Sequence, residues 1–158
     1  MKKVITPEEA KQKILRYCAY QERSHQEVKN KLYSLGLFSS DVNEIISFLI
    51  TEGFLNEERF ARTFAGGKFR MKSWGRLKII RELEAKGLTR NCIKLGLKEI
   101  DEEDYRLTLT RLLQKKSEQT MPDSLFVKRD KLARYAIQKG YEPELVWSEL
   151  KRLFPDNA

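Results

Sequence analysis

Residues 79–100, IIRELEAKGLTRNCIKLGLKEI, place apolar side chains around Gly87 in a pattern that occurs twice more in the chain. Residues 28–49 around Gly36 and residues 132–153 around Gly140 carry apolar side chains at the same offsets from their glycine. The shared offsets are −8, −4, +1, +6, +10 and +13. Six matches in three copies are hard to obtain by chance, and a period of about 50 residues is typical of tandem structural repeats.

Each copy predicts two helices joined by a glycine turn, because its apolar residues recur at helical spacing and glycine accepts the positive φ of a helix end. A further helical stretch precedes each copy, at Pro7–Gln21, Glu57–Lys68 and Glu102–Ser117. We therefore predict an all-α chain of three tandem three-helix repeats, at residues 1–53, 54–100 and 101–158. One such unit is too small to bury its apolar faces, so we expect the repeats to stack into an elongated, curved array.

The starts of the predicted helices carry recognisable capping residues. Thr6 and Ser24 are each followed three positions later by glutamate, the pattern of a capping box. Asn56, Asp101 and the pair Glu142-Pro143 mark further starts. No alternation of apolar and polar residues typical of strands interrupts this helical pattern.

Composition indicates a folded, soluble protein. The chain has 158 residues, of which 41% are hydrophobic, and no apolar run approaches the roughly 20 residues of a membrane span. The N-terminus has no apolar signal-peptide core, so we expect a cytoplasmic protein without a membrane partner. Cys18 and Cys92 lie within apolar helical patterns and are interpreted as small buried hydrophobic residues. The absence of a long apolar seam favours a monomer.

Positive charge is concentrated in the middle repeat. Residues 54–100 carry 12 Lys and Arg against 5 Asp and Glu, whereas the ratios are 8 to 7 before them and 11 to 11 after them. We predict that the cations of this repeat form a contact surface for DNA or a partner: Lys68, Arg70, Lys72, Arg76, Lys78, Arg81, Arg90, Lys94 and Lys98. Phosphate, an acidic protein surface and a merely solvated face all remain compatible with the pattern.

Two aromatic residues lie among these cations. Phe69 and Trp74 have the interleaved spacing that suits stacking of bases from single-stranded nucleic acid. Trp74, next to Gly75, is equally compatible with an apolar staple that anchors the start of a helix.

The sequence contains no combination of residues that indicates an active site. His25 is the only histidine and occupies the first turn of a capped helix, where a surface or capping role is expected. Gly66-Gly67 lacks the spacing of a phosphate-binding loop, and the acidic run 101–104 suits a helix N-terminus. We predict no enzymatic activity, no cofactor and no metal site.

Several motifs resemble the RecX family of bacterial regulators of the RecA recombinase. The matching segments of the first repeat are RSHQEVKNKL (23–32) and Gly36-Leu37; those of the second are NEERFARTF (56–64), WGRLKI (74–79), Glu82-Leu83 and KGL (86–88); those of the third are Arg134-Tyr135 and QKGY (138–141). The resemblance covers nearly the whole chain.

The resemblance implies a non-catalytic protein that binds the groove of the RecA filament on single-stranded DNA and opposes filament growth or promotes its disassembly. Weak binding to single-stranded DNA itself is expected. The chain departs from the family at Ala65-Gly66-Gly67-Lys68, which we interpret as a loop that serves as a hinge, detectable by fast hydrogen exchange. The alternative function is direct duplex recognition by a helix-turn-helix, for which Arg90 and Asn91 are the available base-reading residues.

Overall fold

The structure, a computed structural model, describes residues 5–121 and 123–156. Within these residues it contains nine helices and no strand. In chain order they are α1 (Pro7–Tyr20), α2 (His25–Ser34), α3 (Ser39–Thr51), α4 (Glu57–Lys72), α5 (Arg76–Ala85), α6 (Arg90–Leu97), α7 (Glu102–Gln119), α8 (Leu125–Gln138) and α9 (Pro143–Leu153). The prediction of an all-α chain of three three-helix repeats is confirmed.

Side-chain caps begin the helices where the sequence predicts them. The side chains of Thr6, Ser24, Asn56 and Asp101 each accept a hydrogen bond from the backbone N–H three residues later, at 3.2, 3.1, 2.9 and 3.0 Å. Each bond satisfies a donor that has no partner within its helix. The ninth helix begins with proline at its first position, where the missing N–H costs nothing.

The three repeat glycines share one turn geometry. Gly36, Gly87 and Gly140 have φ of 95°, 82° and 104° and follow α2, α5 and α8. The residue after each glycine donates its backbone N–H to the carbonyl five positions earlier, at 3.4, 3.2 and 3.2 Å. This is the Schellman arrangement, which satisfies carbonyls at a helix end and requires the left-handed conformation at the glycine.

The shared apolar offsets line the core. Side chains at −8, −4, +1 and +6 from the glycine are buried in all three repeats. Those at +10 and +13 are buried or half-buried. The sequence match therefore records one packing scheme used three times. The two cysteines, predicted to be buried, are instead half-buried and unbonded.

By its internal contacts the chain divides into two compact units. The first contains residues 1–64 and 83–96, and the second contains residues 65–82 and 97–158. The chain passes from one unit to the other within α4, within α5 and at the end of α6, so the middle repeat contributes to both. The repeat boundaries after residues 53 and 100 stay a prediction.

The first unit packs α1, α2 and α3 around Ile14, Leu32 and Leu49, all fully buried. Its portion of α6 lies directly against its portion of α4, because a Cβ added to Gly96 would lie 2.8 Å from the carbonyl oxygen of Ala61. The glycine is therefore required for close backbone approach rather than for a turn.

The stretch around Gly66-Gly67 is helical, so its prediction as a loop is wrong. Helix α4 continues through both glycines to Lys72, four residues past the predicted end at Lys68. Apolar side chains on both sides of the pair, Ala61, Ala65 and Phe69, keep the helix buried along one face and outweigh the weak helix propensity of glycine. A hinge at this position stays a prediction.

Candidate interaction site

The start of α5 is held by the turn between α8 and α9, within the second unit. Gly75 donates its backbone N–H to the carbonyl of Lys139 at 2.8 Å, and Leu77 donates to the carbonyl of Gly140 at 2.9 Å. A Cβ on Gly75 would lie 2.2 Å from the carbonyl carbon of Gly140, so no other residue fits this contact. Two donors at the start of a helix thereby gain partners from a distant repeat.

Arg76, a predicted contact residue, is engaged inside the protein. Its guanidinium lies 3.1 Å from Glu142, pairs also with Glu102, and stacks 3.9 Å above the ring of Tyr105. Its backbone N–H donates to the Tyr105 hydroxyl at 2.9 Å, and that hydroxyl donates to Glu142. Burial, and then the hydrogen bond to Glu142, raise the pKa of Tyr105 well above its ordinary value. Arg76 therefore stabilises the second unit, and a role in partner binding is not supported by this geometry.

Tyr105 organises this network, and the sequence interpretation did not single it out. Its ring is fully buried, with centroids 5.0 Å from Tyr141 and 5.9 Å from Phe69. The signal was available, because Tyr105 precedes Leu109 and Leu113 at helical spacing on the apolar face of α7.

Phe69 does not fit the predicted stacking role. It is 7% exposed, and its ring packs against Tyr105 rather than facing solvent. A base could reach the ring only if this part of the core opened. Phe69 occupies the buried face of α4, four residues after the fully buried Ala65.

Trp74 is half-buried and surrounded by lysines. The amino groups of Lys68, Lys72 and Lys78 lie 5.1, 6.0 and 4.5 Å from its ring centroid. We call these four residues the lysine–tryptophan cluster. Lys68 and Lys72 lie one turn apart at the end of α4, and Lys78 lies in the first turn of α5. Cation–π attraction holds the ammonium groups near the ring, although the three charges repel one another.

The turn that carries Trp74 is fixed by its neighbours. Ser73 has φ of 55°, an uncommon value for a residue other than glycine. Its N–H donates to the carbonyl of Phe69 at 2.9 Å, and its carbonyl accepts the hydroxyl proton of Tyr141 at 2.9 Å. Lys139 donates to the carbonyl of Lys72 at 3.3 Å. The cluster is thus positioned by the third repeat, although all its members belong to the second.

The remaining predicted cations are exposed but lie in different units. Arg70, Arg81 and Lys98 belong to the second unit, and Arg90 and Lys94 to the first. Arg90 and Lys94 lie one turn apart on α6. Lys98 has the same spacing in the sequence, but α6 ends at Leu97 and Lys98 lies in the following turn. The close contact that Gly96 makes with Ala61 places a poor helix former in the last turn.

The predicted contact cations and the other basic residues of the middle repeat differ in whether they form ion pairs. Arg59, Arg62 and Lys86 pair with carboxylates at 2.5, 2.7 and 3.1 Å. In residues 5–121 and 123–156 no carboxylate forms an ion pair with the following members of the predicted surface: Arg70, Lys72, Lys78, Arg81, Arg90, Lys94 and Lys98. Their charge is therefore available to an external anion.

His25 has a structural partner. It is the first residue of α2, and its Nδ1 lies 3.1 Å from a carboxylate oxygen of Glu57. The part of the chain that the structure describes contains no group of three or more His, Cys, Asp or Glu side chains arranged to hold a metal ion. None of its described helices is long and apolar enough to cross a membrane.

Family models match this chain in three consecutive segments. The models of the first, second and third three-helix domains of RecX match residues 10–49, 56–104 and 103–150. Together they cover most of the sequence, in the order of the three repeats.

Named relatives extend the match to nearly the full length. The regulatory protein RecX of Clostridium perfringens strain SM101 is 28% identical over 158 residues, which span 97% of this chain and 74% of that protein. The regulatory protein RecX of Lactococcus lactis subsp. cremoris strain SK11 is 26% identical over 136 residues, or 84% of this chain and 51% of that protein.

Solved structures share the fold. The crystal structure of RecX from Lactobacillus salivarius superposes with a TM-score of 0.85 at 23% identity, covering 93% of this chain and 96% of that one. A second crystal structure, of a regulatory protein RecX, superposes with a TM-score of 0.80 at 19% identity and covers 92% of this chain and 71% of that one.

Proposed function

Because this chain belongs to the RecX family of regulatory proteins, we propose that it is a non-enzymatic, cytoplasmic modulator of the RecA recombinase. In this proposal it binds the RecA filament on single-stranded DNA as a monomer and limits filament assembly or activity in recombination and DNA repair. The assignment of RecA as the partner rests on the family motifs of the first two repeats. The observation that carries the contact surface is the set of exposed cations without carboxylate partners.

Surface cations without carboxylate partners are suited to binding an anionic nucleoprotein filament. Exposed ion pairs contribute little to stability, so leaving these residues without carboxylates costs the fold little. Arg81, Arg90 and Lys94 are exposed and contribute to the surplus of 12 cations over 5 acids in the middle repeat. Such a surplus accelerates encounter with an anionic partner and makes binding sensitive to salt. A nucleoprotein filament offers anionic phosphate to such a surface.

The lysine–tryptophan cluster supports a direct contact with single-stranded DNA. Three ammonium groups near one indole can neutralise consecutive phosphates while a base stacks on the exposed part of the ring. Such stacking contributes about 1–3 kcal/mol for each base and does not depend on sequence. We therefore propose weak, sequence-indifferent binding that falls with ionic strength.

Inhibition of DNA-dependent ATP hydrolysis by RecA tests the proposal. We expect the variant Lys78→Glu, Arg81→Glu, Lys94→Glu, Lys98→Glu to keep its helicity and melting temperature but lose inhibition. Arg134→Glu with Lys151→Glu, on α8 and α9, is the control and should still inhibit. Full inhibition by the fourfold variant would refute the contact surface, and failure of the native chain to co-sediment with RecA filaments would refute the partner.

A second candidate function is duplex recognition by α5 and α6. Arg90 begins α6 and is exposed together with Asn91, as a base-reading helix N-terminus requires. The same helix–turn–helix occurs in all three repeats, however, which is the signature of a scaffold. Sequence-specific duplex binding at physiological salt favours this candidate, whereas weak sequence-indifferent binding favours the RecA modulator.

A further inference from the structure

A groove of about 480 Å³ lies between the end of α4 and one face of α7, within the second unit. Phe69, Arg70 and Ser73 line it from α4 and the turn that follows. The opposite wall consists of one stripe of α7: Asp104, Leu107, Thr108, Arg111, Leu112 and Lys115. These positions recur at three and four residues, so they share a face of the helix.

The stripe is distinct from the buried face of α7. Tyr105, Leu109 and Leu113 point into the core and are at most 1% exposed. Leu107 is 46% exposed although it is a large aliphatic residue. Together with the half-buried Leu112 it forms an apolar strip along the groove.

Positive charge borders this apolar strip. Arg70, Arg111 and Lys115 are exposed, and none of them forms an ion pair with a described residue. Asp104 is the single carboxylate in the lining, so the groove carries a net positive charge. Arg111 and Lys115 lie one turn apart, a like-charge arrangement that disfavours the isolated helix and is relieved by a bound anion.

We propose that this groove binds a short acidic protein segment that carries an aliphatic anchor. Carboxylates of the segment pair with Arg70, Arg111 and Lys115, and an aliphatic side chain covers Leu107 and Leu112. From Asp104 to Lys115 the stripe is about 16 Å long at the helical rise of 1.5 Å per residue. An extended segment of about five residues spans that length.

Nucleic acid fits the groove less well. The sugar–phosphate backbone gains nothing from an aliphatic strip, and bases stack on aromatic faces. The aromatic side chain in the lining is Phe69, whose ring is packed against Tyr105. The groove thus differs from the lysine–tryptophan cluster, where three lysines lie around a half-buried indole. Its ligand does not depend on the function proposed above.

Fluorescence anisotropy with the full chain and no RecA present tests the groove. The probe is a labelled peptide of glutamate and leucine, compared with one in which glutamine replaces glutamate and one in which alanine replaces leucine. A thymidine oligonucleotide of similar length serves as competitor. The variants are Arg111→Glu with Lys115→Glu, and Leu107→Gln. Arg134→Glu with Lys151→Glu is the charge-matched control outside the groove.

We expect the glutamate–leucine peptide to bind, and each altered peptide to bind at least about fivefold more weakly. The Arg111, Lys115 variant should lose about tenfold or more and Leu107→Gln about threefold, whereas the control stays within about twofold. Equal loss in the control, or no binding at about 1 mM protein, overturns the proposal. Displacement of the peptide by the oligonucleotide, with oligonucleotide affinity lost in the Arg111, Lys115 variant, would instead assign the groove to nucleic acid.

Discussion

Gly140→Ala should destabilise the protein far more than the same change at the equivalent glycines of the other repeats. All three glycines have positive φ, so alanine at any of them is strained by about 1–2 kcal/mol. Gly36 and Gly87 have open space where a Cβ would stand. At Gly140 a Cβ would lie 2.4 Å from the Cβ and 2.7 Å from the backbone nitrogen of Lys78.

The collision at Gly140 cannot be relieved by rotating a side chain, because both atoms are fixed by the backbone of α5. Overpacking of this kind costs about 1–3 kcal/mol. The total loss in the free energy of unfolding is then about 2–5 kcal/mol for Gly140→Ala, against about 1–2 kcal/mol for Gly87→Ala. Alanine restricts the unfolded chain equally in each variant, so that contribution cancels in the comparison.

Urea unfolding followed by far-ultraviolet circular dichroism measures the loss for all three variants. Tryptophan fluorescence adds a local probe, because Trp74 and Trp147 are the two tryptophans of the chain and both lie in the second unit. The fluorescence midpoint of Gly140→Ala should fall. If Gly140→Ala costs no more than Gly87→Ala, the close contact between α5 and the α8–α9 turn is refuted.

The remaining predictions concern the interior of α4, the turn that follows it, the buried hydroxyl of Tyr105 and DNA binding at Trp74. Gly67→Ala, inside α4 with no atom near its Cβ position, should raise the free energy of unfolding by about 0.5–1 kcal/mol and slow hydrogen exchange. In the native chain, faster exchange at residues 65–68 than in the flanking helical residues would support a hinge, and equal protection would exclude it. Ser73→Gly should raise the free energy of unfolding by about 1 kcal/mol, because glycine adopts the positive φ of this position without strain. The melting temperature should then rise for Ser73→Gly but not for Ser73→Ala. Tyr105→Phe should lower the free energy of unfolding by about 2 kcal/mol in urea titrations, because the backbone N–H of Arg76 and the carboxylate of Glu142 both lose their hydrogen-bond partner. The pKa of tyrosine is near 10 in the unfolded chain, whereas the pKa of Tyr105 in the folded protein is higher. The free energy of unfolding should therefore fall as pH rises above about 10, and it should fall less steeply in Tyr105→Phe. Trp74→Ala should weaken single-stranded DNA binding by about 1–3 kcal/mol while Trp74→Phe retains most of it, and an unchanged affinity would exclude stacking.

Local features of this fold could be predicted because neighbouring residues cause them. A hydroxyl or carboxylate before a helix caps the N–H three residues later, as at Ser24 and Asp101. The positive φ of Gly87 follows from the termination of a helix there. The extension of α4 through Gly66-Gly67 was missed, because burial of one face outweighed local propensity.

The candidate site was only partly predictable for a similar reason. Charge counted over whole repeats identified the middle one, but the balanced third repeat concealed Arg111 and Lys115 beside an exposed leucine. Their spacing along α7 was visible in the sequence. The missing information was which face of α7 the core would leave uncovered.

The sequence by itself determined the helices, the three glycine turns and the family, since each depends on residues close together along the chain. Tertiary structure alone decided which cations are available. Arg76 and Lys78 are two positions apart, yet Glu102 and Glu142, 26 and 66 residues further on, pair with Arg76, while Lys78 lies beside Trp74. Helical periodicity cannot reveal those partners, because the contact of Gly75 with Gly140 brings them together and depends on the packing of distant backbone.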